Sequence, residues 1–202
     1  MLVIGITGQF CSGKTTAAQL FVEFGAKVIN ADKIGHKALL EKTVRRQLVD
    51  YFSVEILDRS GIINRKKLAK RAFSNRRSHK RLCKIVHPIL IDLIQNQLKI
   101  IKLKNPNQIV IIDAAILIEM GLLRIVDKLI VVETDSTIQI ERAKKKWAIS
   151  ERDVKIRIDL QMSLRQLIKK ADFVINNNGS LKETRGQVKK IWREIVNCKM
   201  DF

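Results

Sequence analysis

The stretch Gly8-Gln9-Phe10-Cys11-Ser12-Gly13-Lys14-Thr15 constrains this chain more than any other. It reads G-x-x-x-x-G-K-T, entered from the apolar run Leu2-Val3-Ile4-Gly5-Ile6-Thr7 and left through a helix-like run from Thr16 to Phe24. A strand that delivers the backbone to such a loop, with a helix leaving it, is the setting in which this motif cradles phosphates. Glycine at both ends allows a tight turn and brings successive N–H groups toward an anion. The helix beginning near Lys14 points its positive end at the same anion. Lys14 then reaches the β- and γ-phosphates as a point charge, and the Thr15 hydroxyl ligates Mg²⁺. Residues Gly8, Cys11, Ser12, Gly13, Lys14, Thr15 and Thr16 are therefore expected to bind a nucleoside triphosphate. An eight-residue pattern with four fixed positions also arises by chance, but chance rarely supplies the flanking strand and helix as well.

The order of elements extends this reading. Gly25 suits the end of the first helix, since glycine accepts the left-handed conformation there. Ala26-Lys27-Val28-Ile29-Asn30 reads as a second short strand, and strand–loop–helix–strand begins a parallel α/β sheet. Asp32 follows directly, at the carboxyl end of that strand, where such sheets carry their functional groups. Spacing leaves two roles open for it: a carboxylate meeting the phosphoryl acceptor, or a helix cap. From Ile34 to about Leu103 the pattern is helical and basic, with Val44, Leu48 and Phe52 on one face. Asp58-Arg59-Ser60-Gly61 marks a turn and Asn64 a helix cap. His87-Pro88 is expected to interrupt a long helix, because proline cannot donate to the preceding turn.

Gln108-Ile109-Val110-Ile111-Ile112-Asp113 reads as a central parallel strand buried on both faces. Asp113 at its end fits a position that holds the Mg²⁺ shell. A turn and helix containing Glu119 should follow. Lys128–Thr134 forms a fourth strand, Ile138–Lys146 a helix carrying Arg142, and Phe173-Val174-Ile175-Asn176 a fifth strand. Asn177-Asn178-Gly179 turns into a last helix over Leu181–Val196.

At 202 residues and 46% hydrophobic content the chain is one domain, with or without insertions. No run approaches the ~18 apolar residues of a membrane span. The short opening apolar run is needed as a strand rather than as a leader. Cys11, Cys83 and Cys198 stand far apart, as free thiols in a reducing cytoplasm do. The net charge of +19 suggests nucleic acid in its sharpest reading. Yet the basic residues are dispersed, and only 5% of the chain is aromatic, too little for stacking along single strands. A solvated basic surface, without nucleic acid or membrane as partner, is the preferred reading.

Taken together, the markers resemble the dephospho-CoA kinases over nearly the whole chain, to about Val188. They are Gly8–Thr15, Asn30-Ala31-Asp32, Ile63-Asn64-Arg65, His87-Pro88 and Asp113-Ala114-Ala115-Ile116-Leu117-Ile118-Glu119. Ile140-Glu141-Arg142, Arg157-Ile158-Asp159-Leu160-Gln161 and Ala171–Gly179 complete them. The resemblance implies a P-loop NTPase-type five-stranded parallel sheet flanked by helices, in a single kinase domain. Residues 1–33 and 104–202 would form the nucleotide-binding core, 34–103 a helical acceptor-binding insertion, and 142–164 a lid. It implies transfer of the ATP γ-phosphoryl group to the ribose 3′-hydroxyl of dephospho-CoA, the last step of coenzyme A synthesis. Asp32 would be the general base, Lys14 and Arg142 would stabilise the transferring group, Thr15 and Asp113 would hold Mg²⁺, and Asn177 would border the adenine. A cytoplasmic monomer is the expectation.

Three departures stand out. Ala115 replaces a usual proline, Lys146 a second arginine, and Asn176 an aspartate. Lysine keeps the charge of arginine but not its bidentate fork. Two other classes compete: a kinase acting on a nucleoside or nucleotide monophosphate, and a nucleic-acid-dependent NTPase, for which a single phosphate loop in this length leaves no room. A binding protein without catalysis fits poorly with Lys14, Thr15, Asp32, Asp113 and Arg142 all present.

Overall fold

The computed structural model describes residues 1–200, the last three by their backbone alone, so the side chain of Cys198 lies outside the described residues. The chain separates into two compact units, one of residues 1–30 with the chain from residue 98 on, the other of residues 31–97.

The first unit is built on a parallel sheet of five strands: β1 (Leu2–Thr7), β2 (Lys27–Asn30), β3 (Ile109–Asp113), β4 (Lys128–Glu133) and β5 (Phe173–Asn176). Their spatial order is β2-β3-β1-β4-β5, so β1 and the loop it delivers stand at the centre. Parallel strands need crossovers, and helices covering both faces leave the central strands without a wet side. This is why β3 is buried at every position and β1 at every position after Leu2. On one face Ile4, Ile6, Ile111, Ile130 and Val132 alternate inward, the period-two geometry of a strand. They pack against Ala17, Ala18 and Phe21 of α1 (Lys14–Val22) and Val188, Ile191 and Ile195 of α9 (Leu181–Met200). Helix α1 is shorter than the apolar run suggested. Its chain turns through Gly25 at φ 100°, a conformation that glycine adopts without a side-chain clash.

Register fixes what lies at the carboxyl edge. Ile6 pairs with Asp113 across β1 and β3, and Asn30 pairs with Asp113 across β2 and β3. The segment after β3 is a succession of turns from residue 115 to 121, then a short 3-10 turn over Leu122–Ile125. The helix expected around Glu119 is therefore absent. Helices α6 (Ser136–Trp147), α7 (Glu151–Asp159) and α8 (Leu164–Ile168) fill the stretch between β4 and β5.

The second unit holds α2 (Ala31–Ala38), α3 (Lys42–Phe52), α4 (Arg65–Ala72) and most of α5 (Arg76–Lys104). Val44, Leu48 and Phe52 of α3 meet Leu68 and Ala72 of α4 and Ile85 of α5 in its core. The turn between α3 and α4 is tied by Asp58, whose Oδ1 accepts from the Ser60 and Ile62 amides, both at 2.9 Å. Asn64 caps α4 by accepting from the amides of Lys66 and Lys67. Helix α5 runs unbroken through Pro88, against the expected interruption. Proline in a helix interior costs roughly 3 kcal/mol. Ile85, Leu90, Ile94, Leu98 and Ile101 are all buried along α5, and each contributes about 1.5–3 kcal/mol on burial. The apolar face outweighs the lost hydrogen bond.

Candidate active site

Turning the chain from β1 into α1 requires backbone that only glycine supplies at two points. A side chain at Gly8 would overlap the Val132 carbonyl and the Ser12 side chain. Gly13 has φ 87°, and a Cβ there would collide with the Asn177 amide. Between them Cys11 adopts φ 64°, a left-handed conformation that costs a non-glycine residue about 1–2 kcal/mol.

The loop keeps this shape because one of its carbonyls gathers partners from across the sheet. The Ser12 carbonyl accepts from Thr134 Oγ1 at 2.8 Å and from Asn177 Nδ2 at 2.7 Å. It also accepts from the Arg142 guanidinium at 3.4 Å, which donates as well to the Asn177 carbonyl at 2.9 Å. Thr184 on α9 donates to Asn177 Oδ1 at 2.8 Å, fixing which way the amide faces. Asn177 and Arg142, expected from the sequence to face the nucleotide, are here seen to pin the loop, while Thr134, just after β4, and Thr184, in the first turn of α9, enter the site with no sequence signal of their own.

Deeper in, Thr15 Oγ1 donates to Asp113 Oδ2 at 2.8 Å, and Asn30 Nδ2 donates to the same oxygen at 2.8 Å. Asp113 is only 1% exposed. The three residues come from α1, β3 and β2, and the strand register brings them together. A hydroxyl and a carboxylate side by side form a hard oxygen donor set, the chemistry that Mg²⁺ prefers.

The loop sits in a positive field. Lys14 is 9% exposed at the start of α1, whose first turn carries no acidic residue. Burial pushes the Cys11 thiol up, against the opposing pull of Lys14, Lys146, Arg157 and Arg142, so four cations act on this one position. An anion bound to the loop would meet the same four charges together with the α1 N-terminus. Lys146 also lies with its Nζ 4.8 Å from the centre of the Trp147 ring. At the other two departures, Asn176 donates to Glu133 Oε1 at 2.9 Å, and the Ala115 carbonyl accepts from the Thr7 hydroxyl at 3.3 Å.

The predicted residues fall into two sets. Gly8, Cys11, Ser12, Gly13, Lys14, Thr15, Asp113, Arg142 and Asn177 converge within the first unit, with Thr16 exposed on the first turn of α1. Asp32 belongs to the second unit, exposed in the first turn of α2, two residues after Asn30.

A phosphate loop leaving the central strand of a parallel sheet, with a hydroxyl–carboxylate pair beside it and cations around it, defines a nucleotide-binding protein of the P-loop class. The family model described as dephospho-CoA kinase matches residues 2–183. A dephospho-CoA kinase of Aquifex aeolicus is 39% identical over 194 residues, covering 96% of this chain and 97% of that protein. One from Bacillus cereus is 37% identical over 191 residues, covering 94% and 95%. The solved dephospho-CoA kinase of Campylobacter jejuni superposes with a TM-score of 0.69 at 28% identity, over 98% of each chain. The chain belongs to the dephospho-CoA kinase family.

Proposed function

We propose that this chain transfers the γ-phosphoryl group of ATP to the ribose 3′-hydroxyl of dephospho-CoA, completing coenzyme A. The observation that carries the reading is the Thr15–Asp113 pair under a glycine-turned loop, in a chain whose relatives bear that activity along their full length. Transfer of this kind demands little covalent chemistry from the protein and much positioning and charge stabilisation. Lys14 and Arg142 neutralise charge on the transferring group from the loop and from α6. Thr15 and Asp113 would hold Mg²⁺, which when bound screens the phosphate charges and fixes their orientation.

Asp32 accepts the proton of the attacking hydroxyl, as a general base must while the new bond forms. The helical second unit supplies the acceptor pocket, and the segment 142–164 closes over the nucleotide to exclude water. Asn177 borders the adenine while holding the loop. The enzyme works as a cytoplasmic monomer, without nucleic acid or membrane. None of the described helices is long and apolar enough to cross a membrane.

The deciding experiment measures ADP release with ATP and Mg²⁺, offering dephospho-CoA, AMP, CMP, DNA, RNA or no acceptor. ADP formed only with dephospho-CoA, with coenzyme A as product, is the expected result. Turnover with AMP or CMP, or hydrolysis stimulated by nucleic acid, would replace this reading with another.

A further inference from the structure

Residues 9 and 10 of the phosphate loop are not held by the sheet alone. The Phe10 N–H donates to Gln161 Oε1 at 2.7 Å, and Gln9 Nε2 donates to the Met162 carbonyl at 3.3 Å. Gln161 and Met162 lie just beyond Leu160, the residue that caps the end of α7. The same two residues are tied to the turns after β3. Gln161 Nε2 donates to the Ala115 carbonyl at 3.3 Å, and the Met162 N–H donates to Glu119 Oε1 at 2.9 Å. One planar amide therefore joins the phosphate loop to the stretch that begins next to Asp113. Helices α6 and α7 grip the same point of the loop from outside. Trp147 stacks on Phe10 with ring centres 5.3 Å apart, and the Arg157 guanidinium lies 5.1 Å from the Phe10 ring centre.

We infer that Gln161 is a positioning residue for phosphoryl transfer, coupling the docking of the α6–α7 segment to the placement of the phosphate loop relative to Asp113. A primary amide can accept from Phe10 and donate to Ala115 at once, which neither a carboxylate nor a thioether can do. When the segment lifts, both hydrogen bonds and the Phe10 stack separate together. When it docks, the loop that holds the phosphates and the turn beside the Asp113 carboxylate come into register. Misplacement of reacting groups by about 1 Å is enough to cost roughly 100-fold in rate. The inference rests on the reading of 142–164 as a segment that closes over the nucleotide.

The test uses the full chain with Gln161→Met, which keeps the length and loses both bonds, and Gln161→Glu, which keeps only the acceptor toward Phe10. In both, kcat for transfer to dephospho-CoA should fall about tenfold or more while KM for that acceptor stays within about threefold. ADP released without acceptor should rise relative to transfer, a readout that simple destabilisation does not move. Should Gln161→Met fail to fold, Gln161→Glu carries the test. Either folded variant keeping kcat and the hydrolysis ratio within about twofold of the parent would overturn the inference. Trp147 emission, read in a Trp192→Phe background, tests the closure reading separately. It should change with ATP in the parent and less in Gln161→Met. A parent signal indifferent to ATP and ADP would remove the closure on which the inference stands, whatever the kinetics of the variants.

Discussion

The Thr15 hydroxyl lies 2.8 Å from Asp113 Oδ2, although 98 residues separate them along the chain. One sits on the first turn of the helix that leaves the phosphate loop, the other at the end of the strand beside β1. Asn30 steadies the same carboxylate oxygen from the far side. The pair and the Asn30 amide are thus assembled from three elements, α1, β3 and β2. If it holds Mg²⁺ as proposed, Asp113→Asn should weaken the metal response by roughly 10–100-fold, visible as a shift in the Mg²⁺ concentration giving half-maximal ADP release. An unchanged Mg²⁺ dependence would take Asp113 out of the metal site.

Asp32→Asn removes the proposed proton acceptor and keeps the size of the side chain. Turnover should fall about 10²–10⁴-fold, the range for loss of a general base, while ATP binding measured by calorimetry stays near that of the parent. Near-normal turnover would return Asp32 to a role in starting α2.

Gly13→Ala places a side chain at φ 87° and against the Asn177 amide. The left-handed backbone alone costs about 1–2 kcal/mol, and the displaced amide also abandons the Ser12 carbonyl. Nucleotide affinity should drop at least tenfold by titration, with thermal stability reduced. Replacing Asn177 by alanine as well should not restore binding, because the φ strain remains.

Asn64→Ala removes the acceptor for two amides at the start of α4. The loss of such a cap costs about 1 kcal/mol. In a chain of this size that corresponds to a fall in melting temperature of about 2–4 °C. No change would mean that the amides find equivalent partners in water.

His87 supplies a pH test. Burial first, and His79 second, lower its pKa from 6.5 to about 4. Between these values the unfolded chain binds a proton that the folded chain refuses, so stability is lost as pH falls from 6.5 toward 4 and is unaffected by this group above 6.5. His87→Gln should therefore flatten the decline in melting temperature between pH 7 and pH 4.5. A slope identical to that of the parent would show that other groups govern acid sensitivity.

The elements legible in the chain are those whose causes are local. The phosphate loop is specified by two glycines, a lysine and a threonine within eight residues. The buried strand Ile109–Asp113 announces itself by an unbroken apolar run, and the Asp58 turn and the Asn64 cap by side chains that bond amides two to four residues away. Pro88 shows where local reasoning fails, since its helix-breaking tendency is a property of a few residues while the burial that overrides it belongs to the whole of α5.

The sequence by itself determined that a phosphate loop would stand between a strand and a helix, and that a carboxylate would end a buried strand. Only the tertiary structure decided what holds the loop in shape. Thr134, Asn177 and Gln161 reach the loop across separations of 122, 165 and 151 residues. Thr134 and Asn177 arrive through the sheet order β2-β3-β1-β4-β5, which brings the ends of distant strands to one edge, and Gln161 arrives on the turn between α7 and α8. A polar side chain next to a strand end reads the same in sequence whether it meets solvent or a carbonyl of the phosphate loop. Burial makes the difference, because inside the fold each such donor must find an acceptor.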